Sequence, residues 1–137
     1  MSWYNLTSVL QERFWLESFR EWQEEIIEHI VAWHDTLVFM PTGWGKSLTY
    51  QLPWIVREGL CIVISPLISL MKDQVDKLKE LWLKAELINS TQNYHEQQQV
   101  LDDVENKRLD FLYIAPERLH SREFLWVLRH VRIALLA

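Results

Sequence analysis

Apolar residues gather in five short runs separated by longer stretches with helical spacing. The runs cover 36–40, 60–65, 85–89, 111–115 and 133–137. Each is continuous rather than alternating, the pattern of a strand covered on both faces in a parallel sheet. Between them, 23–31 sets Ile26, Ile27 and Ile30 on one stripe. The stretch 68–81 does the same with Leu70, Met71, Val75, Leu78 and Leu81 and turns its Lys and Asp outward. Segments 47–57, 94–106 and 121–130 complete the helical set, and 1–22 reads as a separate N-terminal helical segment ahead of the domain at 23–137. The polar stretch 89–99 predicts a loop entering a helix, with Asn93 as cap and Glu96 three residues on. Strands alternating with helices of this length imply right-handed crossovers and a three-layer α/β/α domain with a mostly parallel sheet.

Composition narrows the class. A length of 137 residues fits one compact domain, and 49% hydrophobic residues can bury a core. The lone Cys61 rules out a disulfide framework or a Cys-based metal cluster and fits a reducing, cytoplasmic setting. No apolar run approaches the ~18 residues of a membrane span, and the acidic N-terminus does not read as a signal peptide. Charge is uneven: residues 1–35 set Arg13 and Arg20 against seven acids, and the remainder is balanced. Composition therefore offers no basic footprint for nucleic acid. The fifth run ends the chain, although the carboxyl end of a strand is where α/β sheets carry chemistry, so a fragment of a longer protein is expected.

The strongest local signal follows the first run. Pro41-Thr42-Gly43-Trp44-Gly45-Lys46-Ser47 joins that run to a helical segment. Backbone N–H groups in such a turn form an anion nest, and the helix N-terminus adds positive potential. Lys46 is the residue to neutralise β/γ-phosphate charge, and the Ser47 hydroxyl is the residue to ligate Mg²⁺. The full Walker pattern has Gly where this chain has Met40, but Gly-x-Gly-Lys-Ser is intact. A plain strand-to-helix turn capped by Ser would not need Gly, Lys and Ser together.

Three further segments narrow the reading. Leu10-x-x-x-Phe14-Trp15-x-x-x-Phe19-Arg20-x-x-Gln23 resembles the adenine-recognition motif of RecQ-type ATP-dependent DNA helicases, in helicase superfamily two. The stretch 65–74 resembles that family's first DNA-contact motif, and 112–118, Leu-Tyr-Ile-Ala-Pro-Glu-Arg, its next strand and DNA-facing turn. The segment 87–92 is similar too, and the order and spacing hold from Leu10 to Ala137. The resemblance implies a RecA-like phosphate-loop domain, ATP and Mg²⁺ as cofactors, and single-stranded or partly duplex DNA as partner. It implies a role in DNA repair and recombination and 3′ to 5′ polarity.

By the same resemblance Gln23 reads the adenine edge, with Arg20 beside the base. Thr42, Gly43, Trp44, Gly45, Lys46 and Ser47 cradle the phosphates, with Lys46 as the catalytic residue and Ser47 on the metal. Ser65, Pro66, Ser69, Lys72, Pro116 and Arg118 meet the DNA backbone. Taken alone, Gln23 would be a solvated helix residue, 68–72 an amphipathic helix start, and Lys72 and Arg118 solvated or paired charges. None of the five histidines is placed as a metal ligand, since His29 and His34, five apart, share no helical face.

The family's acidic box, second motor domain and zinc and winged-helix regions fall outside these 137 residues, so weak or undetectable ATPase and no unwinding are expected of them alone. A small phosphate-loop kinase of nucleotides or metabolites would share the loop, but would need an Arg-bearing lid and leave 65–74 coincidental. An inactive truncated product would bind nucleotide at most.

One count remains odd. About 7% Gly usage predicts roughly ten glycines, whereas the chain has Gly 3 and Trp 8. In the family pattern Trp15, Trp22 and Trp44 stand where Gly is usual, and Glu21 replaces a usual Pro. Trp33 and Trp82 each follow a helical stripe at the position where Gly best takes the left-handed conformation. UGA codons that mean glycine, rendered as Trp, would account for both counts and put Gly at most or all of the eight Trp positions.

Overall fold

The computed structural model describes residues 5–41, 43 and 45–137. Contacts divide the chain into two compact units, the first ending at Arg57 and the second spanning Glu58–Ala137.

The first unit is helical: α1 (Leu6–Phe14), α2 (Gln23–Val31) and α3 (Leu48–Val56). Asn5 caps α1 by accepting a hydrogen bond from the Ser8 amide, and Leu6, Leu10 and Phe14 form its buried stripe. In α2 the expected stripe is present, with Ile27 fully buried.

The expected strand at 36–40 is not one. These residues pair with no strand, and Leu37 and Phe39 are 81% and 88% exposed. An apolar run shows a tendency to be covered but does not supply a neighbouring strand, and strand formation depends on that partner.

The second unit holds β1 (Leu60–Ile64), β2 (Ala85–Ile88), β3 (Phe111–Ile114) and β4 (Ile133–Leu136) in one sheet, order β2-β3-β1-β4. Every pairing is parallel, as continuous apolar runs require. Helices α4 (Ile68–Glu80), α5 (Tyr94–Glu105) and α6 (Arg122–Leu128) make the crossovers, with a 3₁₀ turn at Pro116–His120. Side chains alternate across the sheet. Leu60, Ile62, Ile88, Leu112 and Ile114 share one core with Val100, Leu101 and Val104 of α5 and Phe124 and Val127 of α6. The opposite face is left to α4, which packs on β2 and β3 and buries Met71, Val75 and Leu78. The layers are therefore α/β/α. Leu70, expected in the α4 stripe, is instead 45% exposed. The Asn93 cap forms with Glu96 as a reciprocal box.

Candidate functional site

The first unit builds its site from the start of α2 and the loop before α3. Gln23 opens α2 and is buried. Its Oε1 accepts from the Arg20 amide at 2.7 Å, and its Nε2 donates to the Gly45 carbonyl at 3.1 Å. The Arg20 guanidinium donates to the Gly43 carbonyl at 2.6 Å. Two residues singled out for the base thus grip the phosphate loop by its backbone oxygens. Gly45 takes a backbone conformation that favours glycine. Its φ is +81°, and a Cβ there would press on the Gln23 carboxamide. Gly43 also takes a left-handed φ of +86°.

The Gly43 and Gly45 carbonyls are thereby engaged. Among the described residues, the N–H groups of Gly45, Lys46 and Ser47 donate to no backbone carbonyl. Ser47 stands at the N-cap of α3, yet its hydroxyl makes no capping bond. Lys46 is exposed. Thr42 and Trp44, expected in the same cradle, lie outside the described residues. An exposed Lys46, a Ser47 hydroxyl that makes no capping bond and a helix N-terminus are equipment suited to a polyphosphate.

The second unit presents a different site. A cleft of about 490 Å³ opens at the carboxyl ends of β1, β2 and β3, lined by Pro66, Ile68, Asn89, Ser90, Ala115 and Arg118 among others. Three segments distant in sequence converge there, at the sheet edge where parallel α/β folds bind ligands. Ser65 Oγ accepts from the Leu67 amide at 3.2 Å, shaping the turn into α4. Ser69 and Lys72 lie exposed on α4, while Pro116 is half-buried at the start of the 3₁₀ turn. Neither Ser69 nor Lys72 lines the cleft.

Arg118 is not a free cation. Its guanidinium donates to Gln97 Oε1, and Gln97 Nε2 in turn donates to the carbonyls of Asn89 and Gln92, both at 3.1 Å. Gln92 bonds the Leu87 carbonyl and the Asn89 amide. This Gln/Asn network escapes sequence reasoning, which fixed on cations. The available signal was the cluster of amides in 89–99, a polar run too rich in hydrogen-bonding groups for a passive loop. His29 and His34 do meet, with ring centroids 4.5 Å apart, because the chain reverses at Trp33. Helical spacing alone could not show that. Among the described residues no cluster of three metal-ligating side chains occurs, and no helix is long and apolar enough to cross a membrane.

A glycine-turned phosphate loop before a helix, together with a parallel sheet whose carboxyl edge gathers polar turns, defines a phosphate-loop α/β protein. The class is narrowed by comparison: residues 20–136 match the DEAD/DEAH box helicase model. The chain belongs to that family. It is 45% identical over 129 residues to an ATP-dependent DNA helicase RecQ of Pasteurella multocida, covering 94% of this chain. It is 46% identical over 131 residues to the RecQ helicase of Bacillus subtilis and 43% over 130 to that of Haemophilus influenzae, each covering 95% of this chain. The chain spans 20–22% of these relatives' lengths.

Proposed function

We propose that this chain carries the nucleotide-binding segment of an ATP-driven DNA helicase of the RecQ type. The observation that carries the reading is the Gln23 carboxamide, braced between the Arg20 amide and the Gly45 carbonyl at the mouth of the phosphate loop. A residue suited to read a base edge is thereby coupled to the loop suited to hold the phosphates. Adenine reading by Gln23 with Arg20 alongside, and phosphate binding by residues 42–47, follow as the roles of this site.

The residues fit Mg²⁺-ATP. The Ser47 hydroxyl, unspent on capping, would hold the metal, which supplies charge neutralisation across the β- and γ-phosphates. Lys46 would set its ammonium against phosphate oxygens, and the loop amides would orient the phosphates. On the second unit, Ser65, Pro66, Ser69, Lys72, Pro116 and Arg118 would meet the backbone of single-stranded DNA, with the amide network fixing Arg118 in place. The whole protein would couple ATP hydrolysis to movement along DNA from 3′ to 5′, in repair and recombination in the cytoplasm.

The test is base selectivity. Ligand binding to the folded state raises the melting temperature, so saturating Mg²⁺-ATP should raise it by several degrees and Mg²⁺-GTP by less than half as much. Gln23→Glu puts an acceptor where Nε2 donates to the Gly45 carbonyl and should abolish the difference between the two nucleotides. Equal shifts from ATP and GTP in the unaltered chain would overturn the adenine assignment.

A further inference from the structure

The left-handed backbone positions of this chain are occupied in an unusual way. Among the described residues eight have positive φ: Gly43, Gly45 and Gly59, then Trp15, Trp22, Trp33, Trp82 and Lys107. All three glycines of the chain are in that set. Non-glycine residues adopt positive φ only a few per cent of the time, and the enriched types are Asn, Asp and His. Six of the eight tryptophans are described, and four take it. Independent draws at that rate would give such a result about once in 10⁵.

Each of the four sits where backbone hydrogen bonding dictates the conformation. After α2, the Trp33 amide bonds the Ile30 carbonyl at 2.9 Å and the His34 amide bonds His29 at 3.2 Å. After α4, Trp82 bonds Lys79 at 3.0 Å and Leu83 bonds Leu78 at 3.0 Å. Both are the paired closure that ends helices on a left-handed glycine. Trp15 follows α1 with φ +56°. Trp22 is third in a turn closed by the Gln23 amide on the Arg20 carbonyl at 3.1 Å, with φ +72° and ψ −18°. Those angles are the type II values that call for glycine at that position.

The indoles do not account for the positions. Trp15, Trp22, Trp33 and Trp82 are 66%, 57%, 62% and 87% exposed, although Trp is ordinarily a highly buried residue. The Trp33 ring meets the Arg57 guanidinium at 3.4 Å from its centroid, a contact that does not fix φ. Trp54 and Trp126, by contrast, lie within α3 and α6 and have no backbone reason to be glycine. Lys107 shows that one such closure tolerates a flexible side chain, but Lys is not in excess.

We infer that the native residue at positions 15, 22, 33 and 82, and by the phosphate-loop pattern at 44, is glycine, encoded by UGA in an organism that reads UGA as glycine. UGA differs from the glycine codon GGA by one base, and its familiar sense reading elsewhere is tryptophan. Read as glycine, these codons bring the count to eight, close to ordinary usage. The loop at 43–45 then becomes three consecutive glycines.

Two measurements decide it. Peptides of the protein from its source cells should carry Gly at these positions by mass, and the five codons should be UGA. UGG at 15, 22, 33 or 82, or Trp in the native peptides, overturns the inference. In the 137-residue chain, the joint change Trp15→Gly, Trp22→Gly, Trp33→Gly and Trp82→Gly should raise the melting temperature by about 10 °C or more, since it relieves left-handed strain at four sites. The matching four Trp→Ala changes remove the same rings but keep the Cβ and should give less than a third of that gain. Equal gains from both sets would show that the indoles, not the backbone, were the burden. Failure here leaves the nucleotide reading standing, because codon identity has no bearing on Lys46.

Discussion

Lys46→Ala should weaken Mg²⁺-ATP binding by about 10- to 100-fold in an equilibrium titration. A hydrogen bond to a charged group contributes roughly 1.5–3 kcal/mol, and each 1.4 kcal/mol is a factor of ten in affinity. In the proposed site Lys46 would combine such bonds with direct neutralisation of the terminal phosphates, so the loss belongs near the upper end. The loop amides and the α3 N-terminus remain in the variant, which is why binding weakens rather than vanishes. Lys79→Ala is the control. Lys79 is also a surface lysine, paired with Glu86 at 3.2 Å, and its removal changes net charge equally. Its affinity for nucleotide should stay within about twofold, as expected for an exposed pair worth under about 1 kcal/mol. Similar losses from both variants would mean that overall charge, not the cage at residues 43–47, governs binding.

The same loop shows how much could be read in advance. The turn before α3 is legible, because Gly43 and Gly45 take the left-handed φ a glycine turn provides and Ser47 stands at the N-cap of α3. The helices are legible for a comparable reason, since a stripe of apolar residues is a local property. Gln23–Val31 has the expected bounds, and the Asn93–Glu96 box forms as its spacing requires. Four of the five apolar runs became strands within a residue or two of their expected ends. The first run, at 36–40, is as apolar but pairs with no strand, and no local pattern encodes a partner.

Long-range polar contacts were the other blind spot. Arg118, which the resemblance sets at a DNA-facing turn, also bonds Gln97, 21 residues away. Gln23 was expected to read a base, while its grip on Gly45 spans 22 positions. Neither pairing follows from spacing, because both depend on how helices and turns approach after folding. Left-handed positions behave differently. Trp33 and Trp82 could be located from helix endings alone, since the closing geometry is fixed by the backbone whatever side chain is written there.

Leu112→Ala should strongly destabilise the sheet unit. Leu112 is fully buried in β3, which has β1 on one side and β2 on the other, and it lies in the core shared with α5 and α6. Truncation removes apolar transfer energy and leaves a cavity that the paired strands on both sides cannot close, a cost of about 2–5 kcal/mol. Small domains have only about 5–15 kcal/mol in total, so the variant should unfold at much lower urea. Circular dichroism during urea titration should show the midpoint falling with the slope unchanged, the mark of lost stability rather than an altered unfolded state. Leu125→Ala provides the contrast, because Leu125 is 40% exposed on α6 and should cost under about 1 kcal/mol. If Leu112→Ala shifts the midpoint no more than Leu125→Ala, then β3 is not the centre of the packed sheet. The convergence of residues 65–66, 89–90 and 115–118 at its carboxyl edge would then lose its support.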